Sequence, residues 1–194
     1  MKTLTVCAAL AGAAVSVSAQ TLYDNGPING TVDGWLIQPP YSVADGFTLG
    51  SEATVGSATV GIWSSDASLS SVDWSITTAP LGGTTLASGT ATSFTATPDG
   101  TAFGFNLYYD SFAITPTDLA AGTYWFQLAN ALTPDGDEVG WDQNDGPATA
   151  YQVTSGQLSG SESFSLSGAS VPEPATMALL GVGLAGGLIA RRRR

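Results

Sequence analysis

The chain is 194 residues long and 43% apolar, with 24 glycines, one cysteine, no histidine, and five basic residues against sixteen acidic ones. The basic residues are Lys2 and Arg191 to Arg194, so nothing between Thr3 and Ala190 carries positive charge, whereas every Asp and Glu lies in that stretch. Such a surface cannot neutralise phosphates, which excludes nucleic acid and anionic membrane surfaces as partners of the folded region. Without His or a second Cys there is no His-assisted nucleophile, no Cys/His metal site and no disulfide framework.

Residues 1–19 read as a secretory signal peptide. Lys2 is followed by an apolar stretch from Leu4 to Val17, and the small residues Val17 and Ala19 stand at the minus-three and minus-one positions for cleavage before Gln20. Cys7 lies inside this segment, so the mature chain is expected to be free of cysteine.

From residue 20 to residue 166 the pattern is short alternating runs separated by Gly, Pro, Asn and Asp, with no amphipathic helix. Expected strands fall at Gly46 to Leu49, Ala53 to Trp63, around Val72, Trp74 and Ile76, and at Thr84 to Thr97 and Ala102 to Ile114. Others fall around Tyr124, Phe126 and Leu128, and at Val139 to Asp142, Ala148 to Val153 and Glu162 to Leu166. Turn signals stand at Gly82-Gly83, Pro98-Asp99-Gly100, Ala121-Gly122 and Pro134-Asp135-Gly136. Nine or ten strands at this spacing predict an all-β domain, a two-sheet antiparallel β-sandwich of jelly-roll type. Within it, Tyr23-Asp24-Asn25-Gly26-Pro27 is partly echoed by Trp141-Asp142-Gln143-Asn144-Asp145-Gly146-Pro147.

Residues 167–174 read as a tether ending in Val171-Pro172-Glu173-Pro174, where the two prolines forbid a helix or a sheet interior. Residues 175–194 then combine a short helical transmembrane segment, Ala175 to Ala190, with Arg191, Arg192, Arg193 and Arg194. A sixteen-residue helix spans roughly 24 Å, short of the ~30 Å hydrocarbon core, and the arginines would hold it with the domain outside. The order Val-Pro-Glu-Pro, apolar span, arginine cluster resembles the PEP-CTERM sorting signal. That resemblance implies an exosortase-type membrane protease that recognises Pro-Glu-Pro, with transient inner-membrane insertion and release or attachment at the cell surface; a permanent anchor is the alternative. The intervening domain resembles uncharacterised ectodomains of PEP-CTERM proteins, a likeness that implies no known activity. The family's association with exopolysaccharide-producing bacteria implies a polysaccharide or biofilm partner.

Three kinds of site are candidates. Asp135, Asp137 and Glu138, and separately Asp142, Asn144 and Asp145, offer oxygen ligands of the kind Ca²⁺ takes, although the same residues suit Asx turns. Trp35, Trp125 and Trp141 offer rings for stacking on sugars, while Trp74 shares a face with Val72 and Ile76 and reads as core. A glycosidase needs a pair of carboxylates, and Glu52, Glu138 and Glu162 are the only glutamates in the domain, with nothing in the sequence pairing them. The resulting expectation is an exported, non-enzymatic, exopolysaccharide-associated protein without a required cofactor. The alternative is a carbohydrate-active hydrolase using two carboxylates. Because trypsin cuts after Lys and Arg, it should leave the span from Thr3 to Arg191 whole even after denaturation. Intact-mass measurement of a urea-treated digest checks this, and fragments beginning inside the domain would contradict it.

Overall fold

A computed structural model describes residues 19–29 and 33–171. The expected signal-peptide helix and the helical sorting segment after Val171 lie outside the described residues. The described chain forms fourteen strands and no helix: β1 (Gln20–Asp24), β2 (Asp33–Leu36), β3 (Ser42–Leu49), β4 (Ala53–Ser64), β5 (Ser71–Ala79), β6 (Gly82–Ala91), β7 (Thr95–Ala102), β8 (Phe105–Leu119), β9 (Gly122–Leu132), β10 (Val139–Asn144), β11 (Ala150–Gln152), β12 (Gly156–Gln157), β13 (Ser161–Glu162) and β14 (Phe164–Ser170). They make two antiparallel sheets, as the alternation predicts.

The longer pairings of the first sheet run along β4. One edge of β4 carries β8, which in turn pairs with β7. The other edge is shared: β14 pairs with residues 53–60, and β10 takes over at Ile62, Trp63 and Ser64. Beyond them lie β1, on β14, and β2, on β10. The second sheet has the order β12-β11-β3-β9-β5-β6. Period-two side chains from both sheets meet between them. Val72, Trp74 and Ile76 are buried together, as are Phe126 and Leu128. At the centre the Phe126 and Phe164 rings stack at 5.7 Å, and Trp141 meets both edge-on at 6.1 and 5.7 Å.

The structure revises the expected layout in several places: β1 and β2 are additional strands, and the run Thr84 to Thr97 is divided between β6 and β7, with residues 92–94 outside any strand. Pro98-Asp99-Gly100 makes no hairpin turn. It sits in β7 at a register shift, and the turn is Phe103-Gly104, closed by the pair Ala102 and Phe105. Proline is tolerated there because β7 is an edge strand. The first Gly-Gly signal is likewise displaced, Pro80-Leu81 forming the turn and the glycines opening β6. Finally, Ser167 to Ser170, expected as the start of a tether, continue β14, and Val171 N–H donates to Glu52 O at 3.1 Å. Small residues are needed here for close approach: a Cβ on Gly168 would collide with the Thr54 carbonyl.

One consequence positions everything else. Gln20 pairs with Gly168 and Ala53 with Ser170, so the start of β1 and the end of β14 share one pole of the sandwich. Trp63 is ten residues further along β4, roughly 30 Å away at ~3.3 Å per residue. Phe164 clamps the last strand to the core, so Phe164→Ala should cost about 3–5 kcal/mol, whereas Phe164→Leu should cost clearly less. Urea unfolding monitored by tryptophan fluorescence checks both variants.

Candidate functional site

The two echoed segments meet in space. Asn144 Nδ2 donates to Asn25 O at 2.9 Å and to Pro27 O at 3.2 Å, and Gly146 N–H donates back to Asn144 Oδ1 at 2.9 Å. Asn25 Nδ2 in turn donates to Asp45 Oδ2 at 2.9 Å, to Ser161 Oγ, and to Glu162 O at 2.7 Å. Asp45 Oδ2 also accepts from Ser161 Oγ at 2.8 Å and Glu162 N–H at 2.6 Å, and its Oδ1 accepts from Gly46 N–H at 2.7 Å. One buried carboxylate thus ties β3, the segment after β1, and β13 together.

These bonds substitute for the cation that the domain lacks. Burial pushes the Asp45 carboxyl up to about 6, against the Glu162, Ser161, Gly46 and Asn25 donors, which pull it down. Burial likewise raises Asp110 to about 6, opposed by the Leu69 N–H. Glu162 has no accessible surface, and among the described residues neither of its carboxyl oxygens has a hydrogen-bond partner. Burial holds its pKa well above the ordinary range, and the charges of Asp45, Asp142 and Asp33 add to the shift. An anion in that position would carry a heavy desolvation cost, so burial favours the neutral acid.

The tryptophans are distributed otherwise than the sequence suggests. Trp141 is completely buried in the core and donates Nε1–H to Ser163 O at 2.8 Å, so it is not available for stacking on a ligand. Its alternation with Asp142, not its neighbouring turn, decides its direction. Trp35, half-buried on β2, donates to Gln143 Oε1 at 2.6 Å. Trp125 lies on the outer face of the second sheet, half-exposed, in a cleft of about 460 Å³ with Tyr151, Gly46 and the exposed Thr48, Thr123 and Thr149. Trp63 was missed. It lines a different pocket, of about 370 Å³, on the outer face of the first sheet with Phe103, Phe105, Asp33 and Glu138.

The two expected calcium groups do not hold as sets. Asp142 and Asn144 are buried and engaged: Asp142 accepts from Trp63 Nε1–H at 2.5 Å and Asn29 N–H at 3.1 Å, and Asn144 spans the echoed segments, while Asp145 is exposed. Asp135 and Asp137 do converge, with Asp66 rather than Glu138, their carboxyl oxygens within 4.8 Å of one another at the surface. The glutamates weighed for hydrolysis are dispersed. Glu162 is sealed inside, Glu52 is at the pole of the chain ends, and Glu138 lines the Trp63 pocket.

Of the sorting residues, Val171 is exposed at the end of β14; Pro172, Glu173, Pro174 and Arg191 to Arg194 lie outside the described residues. Residues 170–194 match the family of the PEP-CTERM protein-sorting motif. The chain carries a PEP-CTERM sorting signal. That signal supports export and exosortase-type sorting to the cell surface or beyond. No curated protein matches the chain. In this PEP-CTERM protein the matched segment begins within β14, so the folded domain reaches directly to the motif without an intervening linker.

Because Asp45, Asp110 and Glu162 have folded pKa values raised above those of the unfolded chain, the native state retains protons that the unfolded state has lost. Their contribution is fully present below about pH 4 and is lost as pH rises through about 6 for Asp45 and Asp110, and through the raised pKa of Glu162 for that group. The melting temperature should therefore be higher near ~pH 4.5 than near ~pH 8. Glu162→Gln should narrow the gap by stabilising the alkaline side. Differential scanning calorimetry at constant ionic strength checks this, and a melting temperature that climbs with pH would contradict it.

Proposed function

We propose that the protein is a non-enzymatic, extracellular matrix component that associates with exopolysaccharide after processing at both ends. The observation that carries this reading is the Trp125 cleft on the outer face of the second sheet. A half-exposed indole lies beside Tyr151, and threonine hydroxyls surround them, including Thr48 and Thr123, whose oxygens are 3.0 Å apart. An aromatic plane supplies the apolar contact that a pyranose face takes, and the hydroxyls supply the donors and acceptors that fix its orientation. The cleft has no charged lining residue, which suits a neutral sugar and leaves no carboxylate there to protonate a glycosidic oxygen.

Export delivers this surface to the matrix. On this reading a signal peptide is removed before Gln20, the apolar tail inserts transiently into the inner membrane, and an exosortase-type enzyme removes it at Pro172 to Pro174. The hydrolase alternative needs a carboxylate pair facing one bond, and the dispersal of Glu52, Glu138 and Glu162 gives it no such pair among the glutamates.

Two measurements test the proposal. Intact mass of the protein recovered from cell surface and medium should correspond to a chain beginning near Gln20 and ending near Pro172 to Pro174; retention of Arg194 in the stable form would favour the permanent anchor. Retention on the producing cells' own exopolysaccharide should fall about tenfold in Trp125→Ala, equivalent to about 1.4 kcal/mol, with the melting temperature little changed. Release of reducing sugar by the wild-type protein would favour the hydrolase.

A further inference from the structure

Three walls of the Trp125 cleft lead to one buried knot of hydrogen bonds. Tyr23, on β1, donates its hydroxyl to Asn25 Oδ1 at 2.7 Å, and Asn25 Nδ2 donates onward to Asp45 Oδ2, Ser161 Oγ and the Glu162 carbonyl. Gly46, on β3, donates its N–H to Asp45 Oδ1. A Cβ on Gly46 would stand 3.8 Å from Trp125 Nε1 and 3.9 Å from Ala148 Cβ, so the cleft and the knot touch at this residue. Thr149 and Tyr151, which line the cleft, flank Ala150, and Ala150 stands at the register of Asp45. Ala150 N–H donates to Gly160 O at 3.2 Å, and Ala150 O accepts from Leu158 N–H at 2.8 Å. Residues 158–160 run straight into Ser161 and Glu162, so the β11 wall of the cleft is tied to β13.

At the centre of the knot is the fully buried Glu162, whose carboxyl oxygens have no hydrogen-bond partner among the described residues. The charged groups around it are all acids: Asp45 from β3, Asp142 from β10, and Asp33 from β2, which shares the face of Glu162 across Gln143. Between Thr3 and Ala190 there is no cation to offset them. Burial, and then these three charges, favour the neutral acid. Ser161 and Glu162 form an edge strand of two residues, paired with Gln143 and Asn144 of β10. The segment that must move for water to reach the carboxyl is therefore short and held by few backbone bonds, the kind of element that opens locally before the fold as a whole.

We propose, on the basis of the Trp125 cleft read above as a polysaccharide site, that the proton on Glu162 is a switch for that cleft: the neutral carboxyl keeps the wall formed by β11 and β13 closed, and its ionisation opens the wall and releases the polysaccharide. Because the closed carboxyl has no contact with solvent, it ionises when residues 158–162 lift from β10 and from Ala150. In the open form the carboxyl has the ordinary pKa of about 4.3, and in the closed form that value is raised, so between the two values opening becomes more favourable by about tenfold per pH unit. The cleft is therefore complete in acid and loosens toward alkali. Asp45 titrates in the same direction, so the substitution that isolates the switch is at Glu162. Retention of a ligand falls once the open form outweighs the closed one, because only the closed form presents all three walls.

The test uses the processed protein recovered from its producing cells, at constant ionic strength between about pH 5 and about pH 9. Hydrogen exchange, corrected for its intrinsic pH dependence, should show protection of the Ala150 and Leu158 amides falling about tenfold or more across that range, while Leu128, on the central strand β9, stays better protected than either. Glu162→Gln, a neutral isostere, and Glu162→Leu, which removes the polar group, should each hold the protection of those two amides constant to within about threefold. Asp110→Asn, which removes the buried carboxyl of β8, a strand paired with β4 and β7, should leave the fall as it is in the wild type. Retention on the producing cells' own exopolysaccharide should drop about threefold or more from acid to alkali in the wild type and stay level in Glu162→Gln. Protection that does not fall in the wild type, or that falls equally in both Glu162 variants, would overturn the switch. Level retention in the wild type while protection falls would overturn it too, by showing that the opened wall does not reach the ligand. Protection that falls only when Glu162 is present, with no retention of polysaccharide at any pH, would uphold the switch on the wall and overturn instead the reading of the cleft as a polysaccharide site.

Discussion

Fifteen of the sixteen carboxylates lie between Gln20 and Val171, and no side chain in that span can pair with them as a cation. Proteins commonly bury a carboxylate by giving it an Arg or Lys partner. Here the interior has to use donors and protons instead. Asp45 is satisfied by two N–H groups, a hydroxyl and an amide, and because those donors come from separate stretches of chain, satisfying the carboxylate also fixes the meeting of β3, β13 and the segment after β1. Glu162 takes the other course: burial favours its protonated form. The partly exposed Asp73 shows the same economy at the surface: Thr90 Oγ1 at 2.5 Å and Asn130 Nδ2 at 2.8 Å donate to it and lower its pKa.

The ends of the domain complete a second constraint. β1 is an edge strand paired with β14, and β14 is paired along β4, so the first and last strands complete the same part of one sheet. The matched sorting motif begins in that last strand. The folded domain therefore runs up to the start of the sorting signal, and the pole bearing Gln20 and Ser170 is set apart from the pole bearing Trp63 and Phe103. Of the two outer sheet faces, one carries an uncharged, hydroxyl-rich cleft at Trp125, and the other a pocket lined by residues that include Phe103, Phe105 and Glu138. The sorting signal supports export, which would present both faces outside the cell.

Much of the frame was legible in residue pattern. The alternation at Val72, Trp74 and Ile76 and at Tyr124, Phe126 and Leu128 states which way each residue faces, because period two is the geometry of a strand. The turn at Pro98-Asp99-Gly100 was misread since composition marks a break in regular pairing but does not distinguish a turn from an irregularity on an edge strand. Ser167 to Ser170 looked like a linker because small residues signal flexibility and close packing alike. Trp141 looked exposed from its neighbouring turn residues, yet its place on β10 turns it inward. The echo of Asn25 in Asn144 was visible, but its meaning, two segments that bond to each other across more than a hundred residues, depends on topology. Trp63 and Phe103 carried no signal beyond an aromatic residue in a strand and another before a glycine.

An interior carboxyl whose neutral form burial favours is the most direct consequence of a domain without cations, and its titration can be observed. The chain has only four glutamates, Glu52, Glu138, Glu162 and Glu173, so carbon-13 labelling of glutamate side-chain carboxyls gives few signals to assign. As pH rises through the ordinary carboxylate range, one carboxyl should stay at the position of the neutral acid after the others have moved to that of the anion, and this late-titrating signal should vanish in Glu162→Gln. If every glutamate titrates near the ordinary value of about 4.3, the interior holds a charge that the structure gives it no means to stabilise, and the account is wrong.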